Sequence, residues 1–276
     1  MIYDATDWPS LNYSDWTEEQ LAKLPFLELL VLSFDGEASL HPGGRQSTER
    51  LFSILEPASD DYVLEVGCGS GRDLCSLVER YGCRAAGIDS SDLMVKFAKR
   101  TVEEAGLASK VNIFKDNIGG LSFKDNEFDA VIAQSVLATV IDKDKAATEI
   151  LRVLKPNRRF GDIELTWIDK PDEDLIKRVE QRIGSFDRPL RLDQWIDLFK
   201  KVGFRETNII FTSDDFGFPT DMLGMIKHNG FAQSMKLFRL VASRGNKINF
   251  AKRTEHIRWM KDSGKIGYGI CLFEKN

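Results

Sequence analysis

The run Val63-Leu64-Glu65-Val66-Gly67-Cys68-Gly69-Ser70-Gly71 limits what this chain can fold into more than any other stretch of it. Four residues of strand character lead into glycines at alternate positions, and a helical stretch, Arg72 to Tyr81, follows at once. Strand, glycine turn, helix is the geometry in which backbone passes against a bound nucleoside-type ligand. Glycine is needed because a Cβ would block both the tight turn and the close approach. The spacing is G-x-G-x-G, whereas the dinucleotide fingerprint G-x-G-x-x-G would put its third glycine where this chain has Arg72. Glu65 lies two residues before the first glycine, inside the strand end.

The pattern then alternates. Strands are expected at 62–66, 84–88, 110–114, 128–134 and 158–167, and helices at 71–81, 91–106 and 143–154. Short apolar strands alternating with amphipathic helices imply a parallel sheet covered on both faces. A helix at 190–202 carries Leu192, Trp195, Ile196 and Phe199 at spacings of three and four, and Gly203 suits its C-terminus. Strands follow at 204–212 and 267–273, separated by about 50 residues that read as helices. Ahead of the sheet, Thr17 and Gln20 have capping-box spacing for a helix to about Leu32. Ser39-Leu-His-Pro-Gly-Gly44 breaks the chain, and a helix from about Gln46 to Leu55 ends before Pro57.

Hydrophobic residues make up 42% of the 276, enough for a sizeable core. No segment reaches the roughly 18 unbroken apolar residues of a membrane span, and Met1-Ile-Tyr-Asp4 does not begin a signal peptide. A cytoplasmic protein is the expectation. Cys68, Cys75, Cys83 and Cys271 have neither C-x-x-C spacing nor a histidine nearby, so no metal site is expected and they read as small buried hydrophobes. The net charge of −5 is unevenly spread. Residues 216–276 hold 11 Lys/Arg against 4 Asp/Glu, which leaves a net −12 on residues 1–215. An acidic chain with no recognisable RNA- or DNA-binding module does not suit nucleic acid.

The glycine run resembles motif I of the class I S-adenosylmethionine-dependent methyltransferases, of the small-molecule type with methyltransferase domains 11 and 25. Further stretches follow in that family's order. Asp89 ends the second strand 22 residues after Gly67, where an acidic side chain can accept from both ribose hydroxyls. Ser90 follows it, and Met94 falls on the next helix's first turn, where the family packs an apolar side chain on adenine. Asp116-Asn117, with Leu121 and Phe123 beyond, resembles the D-x-x-x-x-L-x-F stretch whose polar group reaches the adenine amino nitrogen. Phe128 to Ser135 resembles motif IV, with Gln134 at the strand's end, and Leu151-Arg-Val-Leu-Lys-Pro156 resembles the segment before the fifth strand. The family's glycine pair after Lys-Pro is replaced by Asn157-Arg158-Arg159, with Asn157 expected in the left-handed conformation.

The resemblance implies S-adenosylmethionine as cofactor, leaving S-adenosylhomocysteine as product. The residues it assigns to cofactor are Glu65, Gly67, Cys68, Gly69, Gly71, Arg72, Asp89, Ser90, Met94, Asp116, Asn117 and Gln134. The implied fold is α/β, a Rossmann-like seven-stranded sheet of order 3-2-1-4-5-7-6 with strand 7 antiparallel. Residues 1–57 would form a helical lid, 58–276 the core, and 216–265 a helical cap inserted between the last two strands. Leu40-His-Pro-Gly-Gly44 resembles a loop that precedes this domain in small-molecule methyltransferases.

Methyl transfer from a sulfonium is an in-line displacement, to which a protein contributes mainly alignment, worth up to roughly 7–11 kcal/mol. His41 and Glu164 are candidate bases, and Arg45 and Arg72 candidate partners for the cofactor carboxylate. No Asn/Asp-Pro-Pro-Tyr motif follows the fourth strand, which disfavours amino-methylation of bases or glutamine amides. Phe231, Met235, Phe238 and Ala242 share a helical face, with Lys236, Arg239, Arg244, Lys247, Lys252 and Arg253 nearby. An apolar, aromatic or lipid-like small-molecule acceptor is the expectation, with peripheral contact to an anionic membrane as a second use of this basic cap. Three alternatives stay open: a cofactor-binding protein without transfer, a methyltransferase for a protein or a metalloid thiol, and a nicotinamide oxidoreductase, which Arg72 disfavours. The chain is expected to act as a monomer or homodimer.

Overall fold

The computed structural model describes Glu28, Val31, residues 41–170, Glu173, residues 189–213, Met235 and residues 264–276. In chain order the elements are α1 (Gly44–Leu55), β1 (Tyr62–Val66), α2 (Arg72–Tyr81), β2 (Arg84–Asp89), α3 (Asp92–Glu104), β3 (Val111–Lys115) and β4 (Phe128–Gln134). They continue with α4 (Lys143–Val153), β5 (Leu154–Trp167), β6 (Leu190–Arg191), α5 (Leu192–Val202), β7 (Phe204–Thr212) and β8 (Ile266–Lys275). The strands form one sheet of order β3-β2-β1-β4-β5-β8-β7. β1 to β5 pair in parallel, and β8 runs antiparallel to both β5 and β7. This is the expected order with one extra strand. The two-residue β6 takes the edge of β5 at Thr166 and Trp167, beyond the last β4 pair, Gln134 with Ile163. Two residues cannot display an alternation, so the sequence carries no signal for it.

Each face of the sheet has its own core. Leu51 and Phe52 of α1, Leu74, Leu77 and Val78 of α2, and Ala98 of α3 pack with Val63, Ile132 and Ile163. On the other face Ala147 and Ile150 of α4 and Trp195 and Phe199 of α5 pack with Leu64, Val131 and Phe160. Phe160, Phe199, Phe204 and Phe273 cluster there, with ring centroids 4.7–6.2 Å apart. β4 is buried along all seven residues, as a central strand covered twice must be.

β5 begins four residues earlier than its pattern suggested. Leu154 already pairs with Phe128, and a register shift precedes the Ala130–Arg159 pair. Asn157 sits at that irregularity with φ 57°, the left-handed conformation expected of it. The segment 214–263, apart from Met235, lies outside the described residues, so the cap placed at 216–265 is not described. The same holds for the helical lid before residue 41, apart from Glu28 and Val31. Among the described residues no helix is long and apolar enough to cross a membrane.

β5 also buries two acids on one face. Asp162 and Glu164 are each 1% exposed. Glu164 accepts hydrogen bonds from the backbone N–H groups of Leu137 and Ala138, capping the 3-10 turn Leu137–Thr139. Burial still pushes its carboxyl up to about 8. Burial, then the Glu164 charge, pushes Asp162 well above the carboxylate range, and its Oδ1 has no partner. A raised acid holds its proton more tightly when folded. Its stabilisation is complete below the unfolded carboxylate pKa and is lost as pH rises from there through the folded value, at about 1.4 kcal/mol per pH unit for one proton. Asp162→Asn, neutral and of the same shape, should therefore flatten the fall in denaturation midpoint between pH 5 and 8. A variant that loses stability over that range as steeply as the parent would contradict this assignment.

Candidate cofactor site

The carboxyl ends of β1, β2 and β4 open toward one end of the sheet. Gly67, Gly69 and Gly71 all have positive φ, 67°, 51° and 76°. A Cβ on Gly67 would lie 2.3 Å from Val136 Cγ2, and one on Gly71 would lie 3.1 Å from Ala98. A Cβ on Gly69 would meet nothing within 4 Å. The outer two glycines thus serve packing, while the middle one turns bare backbone to open space, where a ligand can approach. Cys68 between them is buried, its thiol pushed well up by burial and the neighbouring carboxylates, so its backbone alone is available to a ligand. All four cysteines are free and buried, and Cys75 and Cys83 are each pushed up to about 11. Among the described residues no cluster could hold a metal ion.

Asp89 ties the turn to β2. Its Oδ2 accepts from the Gly69 N–H at 3.0 Å and its Oδ1 from the Ser91 N–H at 2.9 Å. Ser91 also caps α3 by accepting from the Met94 N–H at 3.2 Å, which sets the buried Met94 on the helix's first turn. Ser90, the residue before that cap, is exposed. Asp116 shapes the next loop, accepting from the N–H groups of Asn117 and Ser122 at 2.8 Å each, and Asn117 Oδ1 takes the Gly119 N–H at 2.8 Å. Glu28, which stands in no motif, hydrogen-bonds the Ser91 side chain beside Asp89 and Asp92. Burial is the main cause that raises its carboxyl. Glu28 thus lies at the rim of the site.

A buried polar chain runs from the loop before α1 to the end of β1. His41 Nε2 is 3.2 Å from Asp73 Oδ2 and 2.9 Å from Thr48 Oγ1. Thr48 donates to Gln134 Oε1 at 2.9 Å, and Gln134 Nε2 donates to Glu65 Oε1 at 3.1 Å. Glu65 Oε2 is buried with no protein partner. His41 is thus a core residue and not a surface one, and it joins Glu65 and Gln134, its remote companions in sequence. Thr48 and Asp73 went unnoticed because neither stands in a motif; α1 and α2 bring them together. Ser135 also has a buried, unpartnered Oγ and sits at φ 57°, a strained conformation for a non-glycine residue. Glu164, the other candidate base, is occupied by the 3-10 turn. Arg45 is exposed and pairs with Glu49 at 3.8 Å, and Arg72 is exposed on the first turn of α2.

Residues 63–157 match the family described as "Methyltransferase domain". A demethylmenaquinone methyltransferase from Lactiplantibacillus plantarum is 37% identical over 139 residues, 50% of this chain and 57% of that enzyme. Residues 63–157 thus carry a methyltransferase domain, and the chain is similar to the class I S-adenosylmethionine-dependent methyltransferases. An uncharacterised protein of Haemophilus influenzae is 29% identical over 222 residues, 79% of this methyltransferase and 86% of the relative. Among solved structures, the [4+2]-cyclase SpnF superposes with a TM-score of 0.74 at 21% identity, covering 94% of this chain and 97% of the cyclase, a likeness of fold.

The family's cofactor, S-adenosylmethionine, fits the residues present. Gly69 leaves room against the backbone, the bare oxygen of Glu65 suits a cationic group, and Asp89 has lone pairs left for hydroxyl donors. Asp89→Ala removes the anchor of the Gly69 N–H and, with it, the acceptor we propose for the ribose. Hydrogen bonds to a charged group are worth about 1.5–3 kcal/mol, so calorimetry should show S-adenosylhomocysteine affinity roughly tenfold weaker or worse. Unchanged affinity in a folded variant would contradict this placement.

Proposed function

We propose that this methyltransferase moves a methyl group from S-adenosylmethionine to an apolar, aromatic or lipid-like small molecule. The cofactor half of this reading is supported by the open backbone at Gly69 beside Asp89 and Glu65. The acceptor half rests on one observation. The four exposed large hydrophobic side chains among the described residues all lie past or near the carboxyl ends of strands: Phe114 near the end of β3, Ile141 beyond β4, Ile168 just after β5 and Phe211 near the end of β7. Exposed apolar side chains gathered at the ligand end of a sheet suit an apolar ligand. The relative from L. plantarum is named for a demethylmenaquinone, and this points the same way. The net positive charge of residues 216–276 suits an acceptor with an anionic group or a lipid surface.

Chemically, the bound cofactor supplies the activated methyl group. The chain's residues hold it, exclude water and align the acceptor. The fold shared with a cyclase keeps a second reading alive, in which the cofactor is bound and no methyl group moves. Incubating the protein with methyl-labelled S-adenosylmethionine and an extract of quinols, sterols and phenols separates the two. Label should appear in organic-soluble small molecules. Tight S-adenosylhomocysteine binding with no label transferred to any of them would overturn the acceptor assignment.

A further inference from the structure

The chain Asp73–His41–Thr48–Gln134–Glu65 has a property that its distances alone determine. Each internal link can carry one proton, so the direction of one hydrogen bond sets the direction of the next. With Glu65 ionised, the Gln134 amide must donate to it, which turns Gln134 Oε1 toward Thr48. Thr48 then spends its one hydrogen on that oxygen and offers His41 only a lone pair, 2.9 Å from Nε2. His41 must therefore carry its proton on Nε2, where the N–H also faces Asp73 Oδ2 at 3.2 Å.

With Glu65 neutral, a proton on Oε2 would have no acceptor, so it sits on Oε1 and every link reverses. The carboxyl donates to the amide oxygen, the turned amide donates to Thr48, and Thr48 donates to a bare His41 Nε2. The ring proton then sits on Nδ1, which has the Pro42 carbonyl and Ser47 Oγ each at 3.3 Å. A bare Nε2 sets its lone pair against the Asp73 carboxylate, and the attraction between the 41–44 loop and α2 is lost. An amide can turn over within nearly the same volume.

We propose that His41 is a positioning residue whose tautomer follows the charge on Glu65, so that a cation bound at Glu65 draws the 41–44 loop onto α2. The proposal rests on the cofactor reading above, which supplies the cation. Four groups besides Gln134 face Glu65: the Asp73 carboxyl on α2, the Asp89 carboxyl on β2 and the thiols of Cys68 and Cys75. Burial, then the Asp73 carboxylate, pushes Glu65 well above the carboxylate range, so these act toward the neutral form and a bound cation acts toward the ionised one. Its second oxygen, buried and unpartnered, is the acceptor such a cation would satisfy. His41 faces Asp73, Ser47 and Thr48. Gly43 and Gly44, both at positive φ, join this histidine to α1, so a change at His41 acts on the start of the helix that covers β5.

The chain has three histidines, His41, His228 and His256, so imidazole nitrogen spectra of the labelled protein are simple to assign, with His41→Asn identifying its own signals. S-adenosylhomocysteine keeps the cofactor's ammonium group, and calorimetry reports its occupancy independently. On saturation, the His41 pattern should change from an Nδ1-bound to an Nε2-bound proton. Thr48→Val keeps the volume and removes the link. It should abolish the His41 response and weaken S-adenosylhomocysteine about three- to tenfold, and Thr48→Ser should restore both. If the ligand binds and His41 does not change, or if Thr48→Val still responds, the coupling is wrong and the cofactor reading stands. If the ligand does not bind the parent protein at all, both fall.

Discussion

The hydrogen bond from the Gly69 N–H to the Asp89 carboxylate holds the working end of this sheet together. Three consecutive alternate glycines in left-handed conformations would otherwise be the loosest segment of the chain, since glycine loses more freedom on folding than any other residue. Val136 and Ala98 close against the outer two, and Asp89 holds the middle one. The same carboxylate takes the Ser91 N–H, and Ser91 in turn caps α3, so one side chain sets the turn, the strand end and the helix start. The Glu28 side chain also hydrogen-bonds Ser91.

Polar groups are buried on both faces, and they are treated differently. On the α1–α3 side the relay from His41 to Glu65 is satisfied at every link except its last oxygen, which is buried without a protein partner. A network satisfied up to its ligand is what a preorganised site requires. On the α4–α5 side Asp162 and Glu164 share a core with Phe160 and Cys271. Their cost is carried by protonation and by the 3-10 turn, which makes them part of the fold and removes Glu164 from the list of free bases.

Much of the core was legible because periodicity survives wherever a strand or helix has one covered face. The alternation of strands and helices and the burial of the cysteines followed from local pattern, whereas the order of the sheet and the left-handed Asn157 followed from the family resemblance. β6 was not legible, because its two residues pair with β5 only after α5 has been placed. The relay was half legible. Glu65 and Gln134 stand at strand ends, where a ligand is expected, but Thr48 and Asp73 enter through helix packing that no spacing in the sequence encodes. His41 looked like a loop residue since its neighbours are proline and glycine, yet those residues fold it inward.

The central claim is that the bare face of Gly69 and the carboxylates of Asp89 and Glu65 together define the cofactor site. A crystal structure of the protein with S-adenosylhomocysteine tests it most directly. The ligand should lie across Gly67–Gly71, with its ribose hydroxyls on Asp89 and its ammonium group nearest the free oxygen of Glu65. Ligand density elsewhere, or a ribose that leaves Asp89 untouched, would contradict the account.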